Sequence, residues 1–368
     1  MNSDRTTSRR QFMTAAFQKD GVEQTDHAQE QSDEPSCLLH IGRRAMACQF
    51  EVILNQQDRE TATEAAVAAL DLVDELESQL SVYRDQSELS QLNRCAARQA
   101  VSVERGLYGL LARSSELHQL TAGAFDITST PLSKLWGFHR REGRLPSAED
   151  VTSCLAMVGS QHLLLHEQSH SVQFLHPSME VNVNGIGKGY TLDCCRRLLL
   201  DQGVADFLLQ GGRSSVVAVG QRKGISESSP GWKVALRHPG RPDERIFEFD
   251  LLDAALGTSG SATHSFYYRG QRYGHILDPR TGWPATGVLS ATVLAPDAAV
   301  ADALSTAFYV MGAEAAMALC ETRPELASIL IVPGSRAGSI EAHTIGIPVH
   351  HLRVCAKTSF PVVRHDRE

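Results

Sequence analysis

Residues 182–219 read NVNGIGKGYTLDCCRRLLLDQGVADFLLQGGRSSVVAV. The glycine-rich run from Asn182 to Gly189 opens a helix of about fifteen residues that stops at Gly203. Two short strands follow, Phe207 to Gln210 and Ser215 to Val219, and a third spans Trp232 to Arg237. Here one helix feeds several short strands in succession. With no fixed-period repeat and no repeated strand–helix alternation elsewhere, this argues for an α+β fold rather than a doubly wound sheet.

Working outward, Gln49 to Leu54 reads as a strand, and Ala66, Leu70, Val73, Leu76 and Leu80 repeat at helical steps after it. A second helix carries Leu107, Leu110, Leu111, Leu117 and Leu120, with Gly123 ending it. Leu163 to His166 and Val172 to Leu175 flank a polar turn and predict a hairpin. On the other side, Gly224 to Gly231 looks like a mobile loop. Phe266 to Tyr268 and Tyr273 to Leu277 flank Arg269-Gly270-Gln271-Arg272 as a second hairpin. Gly287 to Ala295 reads as a strand and Asp297 to Met311 as a helix. Ile329 to Val332 and Ser339 to Ile347 close the pattern around Pro333-Gly334.

Of the 368 residues, 42% are hydrophobic and 21% charged, which fits a soluble globular protein. The net charge of -8, with no basic patch evident along the chain, excludes nucleic acid as a natural partner. No stretch approaches the roughly 18 to 20 apolar residues that span a bilayer. The eight cysteines include no C-x-x-C pair and read as scattered reduced thiols. Ser8-Arg9-Arg10-Gln11-Phe12-Met13 is similar to the start of a twin-arginine export signal, but Gln18, Lys19, Asp20 and Glu23 interrupt the apolar run that should follow. A cytoplasmic location is therefore expected over export. Residues 1–36, polar and poor in aromatics, are expected as a disordered tail. Residues 37–350 are expected as one folded domain and 351–368 as a C-terminal tail.

Three clusters carry chemistry. Asp302 and Thr306 lie four apart in VADALSTAF, which puts both oxygens on one helix face. That face suits a hard cation such as Mg²⁺. It equally suits an acidic residue near a helix start with a threonine bonding back to its own helix. The Asn184–Gly189 run lets backbone approach a ligand, and Lys188 adds a point charge for phosphate; a tight turn with no ligand explains the glycines as well. His275 sits before the turn Asp278-Pro279-Arg280-Thr281-Gly282, placed for a base or for a structural role. His162, His166 and His170 recur every four residues, but the flanking strand pattern argues against a helix and a metal site there.

Taken in order, these clusters resemble the ApbE family, the FAD:protein FMN transferases. The likeness includes Tyr83-Arg84 with Ser87 to Asn93, Gly123 to Thr128 with Pro131-Leu132 and Leu135 to Phe138, and Gly185 to Tyr190. It continues through Gly211-Gly212, Thr258 to Gly260, His275 to Gly282, and Ala301-Asp302-Ala303 with Thr306. The chain departs from the family pattern at Ala47-Cys48 (usually Gly-Thr), Asn182 (usually Asp), Arg213 (usually Asp or Asn) and Ser261 (usually Asp).

The resemblance implies an α+β, T-fold-like architecture of two packed lobes of mixed sheet and helices, with an FAD cleft between them. It implies that Met46, Tyr83, Ala124, Phe125, Asp126, Asn182, Lys188 and Ile276 line the FAD site. It implies Mg²⁺ on Asp302, Thr306 and the Gly185 carbonyl, and catalysis by His275. FAD is then the substrate. The partner is an acceptor flavoprotein with a Ser/Gly/Ala-rich motif ending in Thr, whose hydroxyl takes FMN as AMP leaves. Hydrolysis of FAD to FMN and AMP, or FAD binding without catalysis, are the alternatives.

Overall fold

The computed structural model describes residues 38–55, 59–223, 231–260, 264–347, 352–355 and 360–365. The expected N-terminal tail, Ser261 and the 224–231 loop apart from Gly231 lie outside the described residues. Strands β1 (Leu38–Ala45) and β2 (Cys48–Asn55) form a hairpin whose register runs from Leu38 opposite Asn55 to Ala45 opposite Cys48. Its turn residues, Met46 and Ala47, are both left-handed, at φ 48° and 60°, as a two-residue turn between twisted strands requires.

Helices α1 (Arg59–Leu80) and α2 (Glu88–Cys95) follow, then β3 (Val101–Ser102), α3 (Arg105–Leu120), α4 (Thr130–Leu135) and α5 (Ala148–Leu155). The expected hairpin is β4 (Leu163–His166) with β5 (Ser171–Phe174), and β3 adds to it in the order β3-β5-β4. The opening stretch folds as read, into α6 (Gly187–Asp201), β6 (Phe207–Gly211) and β7 (Ser215–Val219). Then come β8 (Trp232–His238), β9 (Arg241–Leu251), β10 (Ala254–Gly260), β11 (Ser265–Tyr268), β12 (Gln271–Gly274) and β13 (Ser290–Ala295). Helices α7 (Ala298–Met311) and α8 (Ala313–Glu321) precede β14 (Ala327–Pro333), β15 (Ile340–Ile345), β16 (Arg353–Val354) and β17 (Val362–His365).

Nine strands form one sheet in the order β1-β2-β6-β7-β10-β13-β14-β15-β17, antiparallel throughout except for β15 with β17. Both faces are covered, so its strands are apolar at successive positions rather than at alternate ones. Val52 and Leu54 of β2, Leu209 of β6, Val217 of β7 and Val293 of β13 join the core under the helices. Their neighbours Ile53, Leu208, Val216 and Leu294 face the second core, which holds Trp232, Phe247 and Phe249 of the small β8–β9–β16 sheet. A third cluster gathers Leu132, Trp136, Cys154, Val158 and Leu277 around α4 and α5.

The second hairpin and the C-terminal segment depart most from the sequence reading. The second hairpin turns at Arg269-Gly270, both left-handed at φ 49° and 79°. Its return strand is therefore Gln271–Gly274, and His275 to Leu277 have left the ladder. The segment after residue 350, expected as a tail, contributes β16 against β9 and β17 against β15. No helix among the described residues is long and apolar enough to cross a membrane, and the seven described cysteines are free thiols.

Candidate active site

α7 is apolar on nearly every side, because it lies between the sheet and α6. Two glycines allow that approach. A side chain on Gly189 would collide with the Ala298 carbonyl, and one on Gly257 with the backbone of Ala301 and Asp302. The first amides of α7 are satisfied from another helix. Asp193 of α6 accepts from Ala298 N–H with one oxygen and from Ala299 N–H with the other, each at 2.9 Å. Asp297 stands at the N-cap position without a capping bond and pairs instead with Arg196 at 3.0 Å. The role of acidic residue at the helix start, one of the two readings of Asp302, belongs to Asp193.

Asp302 is buried one turn further on. One carboxylate oxygen accepts from the Ser215 hydroxyl at 2.7 Å and the other from Gly189 N–H at 2.7 Å, with Lys188 Nζ at 3.8 Å. Burial raises its pKa, and Lys188, Ser215 and Gly189 offset that rise only in part. The carboxylate also keeps unused lone pairs, since each oxygen takes one donor. Thr306, one turn along α7, has its hydroxyl 3.0 Å from that of Ser259, which also reaches Ser305 at 2.8 Å. Gly185 lies against this pair. A Cβ there would sit 3.8 Å from Thr306 Oγ1 and 3.2 Å from the Phe125 ring. One carboxylate, one hydroxyl and one neighbouring carbonyl match the few oxygen ligands Mg²⁺ takes from protein. By their chemistry, the residues present fit that ion.

These groups line a cavity of about 480 Å³, within the size of a small-molecule site. Ala124, Phe125, Asp126, Asn182, Gly185, Lys188, His275, Ile276, Asp302 and Thr306 all border it. Met46 and Tyr83 do not. Met46 bonds Glu77 through its N–H at 3.0 Å and receives the Thr191 hydroxyl on its sulfur at 3.7 Å. Tyr83 is 64% exposed and stacks on His139 at 5.1 Å.

The motifs interlock around the cavity. Asn93 at the end of the α2 motif pairs twice with the Val181 backbone, at 2.9 and 2.8 Å, and so fixes the entry to the glycine-rich loop. Asn182 accepts from Asn184 N–H at 3.0 Å. Asp126 is consumed by protein donors: Thr128 N–H and hydroxyl, Ser160 N–H and hydroxyl, and His118. Burial pushes its pKa up, but His118 and Thr128 outweigh that and the net shift is downward. Asp126 in turn raises the pKa of His118. Trp136 Nε1–H bonds the Gly282 carbonyl at 2.9 Å, tying α4 to the turn after His275.

His275 Nδ1 lies 3.0 Å from the His264 carbonyl. A carbonyl only accepts, so Nδ1 carries the proton and Nε2 keeps its lone pair. Burial lowers the His275 pKa, which favours the neutral ring. Ser215, His264 and Asp193 carry or support this site without having been singled out in the sequence, whereas Ser259 stands in the Thr258 to Gly260 motif. Arg213, one of the departures, is exposed. Among the described residues no three His, Cys, Asp or Glu side chains gather to hold a metal, the histidines at 162, 166 and 170 included.

The ApbE family profile matches residues 46–330. The chain is 30% identical over 295 residues to the FAD:protein FMN transferase of Vibrio cholerae, covering 78% of this chain and 86% of that one. It is 33% identical over 254 residues to the FAD:protein FMN transferase of Escherichia coli K12, covering 67% and 70%. Among solved structures, the ApbE protein of Thermotoga maritima superposes with a TM-score of 0.74 at 28% identity, over 83% of this chain and 96% of that one.

Proposed function

This chain belongs to the ApbE family of flavin transferases, and on that premise we propose that it moves the FMN half of FAD onto a Thr or Ser hydroxyl of an acceptor flavoprotein. The acceptor oxygen forms a bond to the FMN-side phosphorus, the pyrophosphate P–O bond breaks, and AMP leaves with that oxygen. His275 Nε2, unprotonated by the tautomer argument, takes the proton from the attacking hydroxyl. Lys188, on the cavity wall, sets positive potential at the phosphates. Phe125 and Ile276 supply apolar wall to the cavity. Asp302, Thr306 and the Gly185 carbonyl are the residues that would hold Mg²⁺. When bound, the ion supplies charge neutralisation at the phosphate oxygens and the leaving group.

The observation that carries this reading is Asp302. It is a buried carboxylate with its pKa raised by burial, held by Ser215 and Gly189 on the wall of the same cavity that His275 lines. The test follows AMP release and flavin incorporation across a Mg²⁺ titration. Asp302→Ala should abolish transfer while the fold persists, and Thr306→Ala should cost less because water can replace a neutral ligand. Near-normal turnover by Asp302→Ala at low Mg²⁺ would sink the metal assignment. AMP release without any acceptor would make the enzyme a hydrolase instead.

A further inference from the structure

The β11–β12 hairpin rises from the wall of the cavity. The residues flanking it, His264 before β11 and His275 after β12, both line that cavity. Its inner side chains, Phe266 and Tyr273, stack at 5.3 Å and pack against Trp136 at 6.4 and 5.6 Å. Phe138 also meets Phe266 at 5.6 Å, and a side chain on Gly143 would strike the Phe266 ring. Residues 138–144 therefore lie against the base of the hairpin, beside the cavity mouth.

The two segments bring together charge that is dispersed in the sequence. Residues 138–144 and 264–275 hold Arg140, Arg141, Arg144, Arg269 and Arg272 against one carboxylate, Glu142, in a chain of net charge -8. Arg140 and Arg141 are exposed, and among the described residues neither has a carboxylate partner. Arg269 lies over the Tyr268 ring at 5.4 Å. Arg43, Arg84, Arg113 and Arg280, by contrast, each bond a carboxylate of this chain. Exposed aromatics accompany the arginines on the hairpin: Tyr267 at 71% and Tyr268 at 42%. Arginine and tyrosine together are the residues enriched where proteins grip one another.

We propose that this arginine and tyrosine surface docks an acidic face of the acceptor polypeptide and guides its hydroxyl to the cavity. The proposal rests on the transferase reading, because transfer obliges a polypeptide to reach this mouth. The phosphates of FAD belong inside, beside Lys188. Arg140 and Arg141, exposed and without a carboxylate partner among the described residues, favour an acidic partner and speed its encounter.

Two synthetic peptides that share a Ser-Gly-Ala-Thr core test this, one flanked by aspartates and the other by lysines. At low ionic strength, kcat/KM for FMN transfer should be about tenfold higher for the acidic peptide. The difference should collapse at about 1 M salt, where the screening length is about 3 Å. The Arg140→Glu, Arg141→Glu double variant should invert the preference and leave the Kd for FAD unchanged. Equal rates for the two peptides at low salt would overturn the proposal. So would a variant that loses FAD affinity in step with transfer, which would give the patch to the nucleotide. A third overturning result is binding to phosphatidylglycerol vesicles that the variant abolishes while the peptides show no preference. Anisotropy of labelled peptides reads docking without turnover. Acid-selective docking with no FMN transfer would keep the surface and bring down the transferase reading.

Discussion

His275 is held in one tautomer by the His264 carbonyl, and burial lowers its pKa below the ordinary imidazole value of about 6.5. In the proposed mechanism the neutral ring is the base, so the acid limb of kcat/KM should fall below pH ~6.5. The stability term has the same sense. Between the depressed folded value and the unfolded one, the unfolded chain binds the extra proton, so this contribution is present above about 6.5 and fades as pH falls. His275→Gln should remove that limb and most of the transfer while FAD still binds; an unchanged profile would exclude His275 as the base. Single residues were unevenly legible in the sequence. Asp302, Thr306 and Lys188 stand in a recognisable order and meet in one cavity. Ser215 does not announce itself, because a serine starting a strand has no periodic or motif signal for the carboxylate it will meet from 87 positions away. The family resemblance implies a ligand contact for Asp126, and its oxygens are occupied by His118, Thr128 and Ser160. Ala47 marks a cost of departing from the family glycine, since it holds φ 60°, a region that strains a residue with a Cβ by about 1–2 kcal/mol.

α6 and α7 hold each other at both ends of their contact. α6 gives the Gly189 amide to Asp302, and Asp193 receives two amides from α7. Losing a cap of this kind costs about 0.5–2 kcal/mol. Asp193→Ala should lower Tm by that equivalent and weaken the Mg²⁺ dependence of transfer more than FAD binding, since α7 carries both Asp302 and Thr306. Calorimetry beside a Mg²⁺ titration checks it; an unaltered Mg²⁺ requirement would mean that α7 keeps its place uncapped. Elements with strong periodicity, such as α1, α6 and α7, are evident in the sequence. β10, with the sequence AALGTSG, is not. Its central Gly257 is small because α7 presses on it, so tertiary packing has erased the side-chain pattern that would mark a strand. β9 opens with RPDER, which hides its apolar half.

The fold class was open to sequence reading, because one helix leading into consecutive strands rules out a doubly wound sheet. The strand order was not, since β2 pairs with β6 across more than a hundred residues and local patterns carry no pairing information. The C-terminal segment belongs to the body: β17 extends the main sheet, and Phe360 meets Phe247 edge-on at 5.6 Å in the second core. Truncation after Ile347 should lower Tm, the half-buried Phe360 alone contributing less than the ~1.5–3 kcal/mol of a fully buried phenylalanine. It should also promote aggregation through the bared edge of β15. FAD binding should survive, because the cavity lies on the helical side of the sheet. Thermal melts, light scattering and FAD titration of the truncated chain decide this, and an unchanged Tm would show that the last strands contribute nothing. The cavity itself is drawn from segments near residues 125, 185, 215, 259, 276 and 302. A chain emerging from the ribosome therefore lacks this cavity for most of its synthesis. Asp302 leaves the exit tunnel only when the greater part of the protein is already outside, and a message truncated before its codon yields a product whose cavity has no such wall.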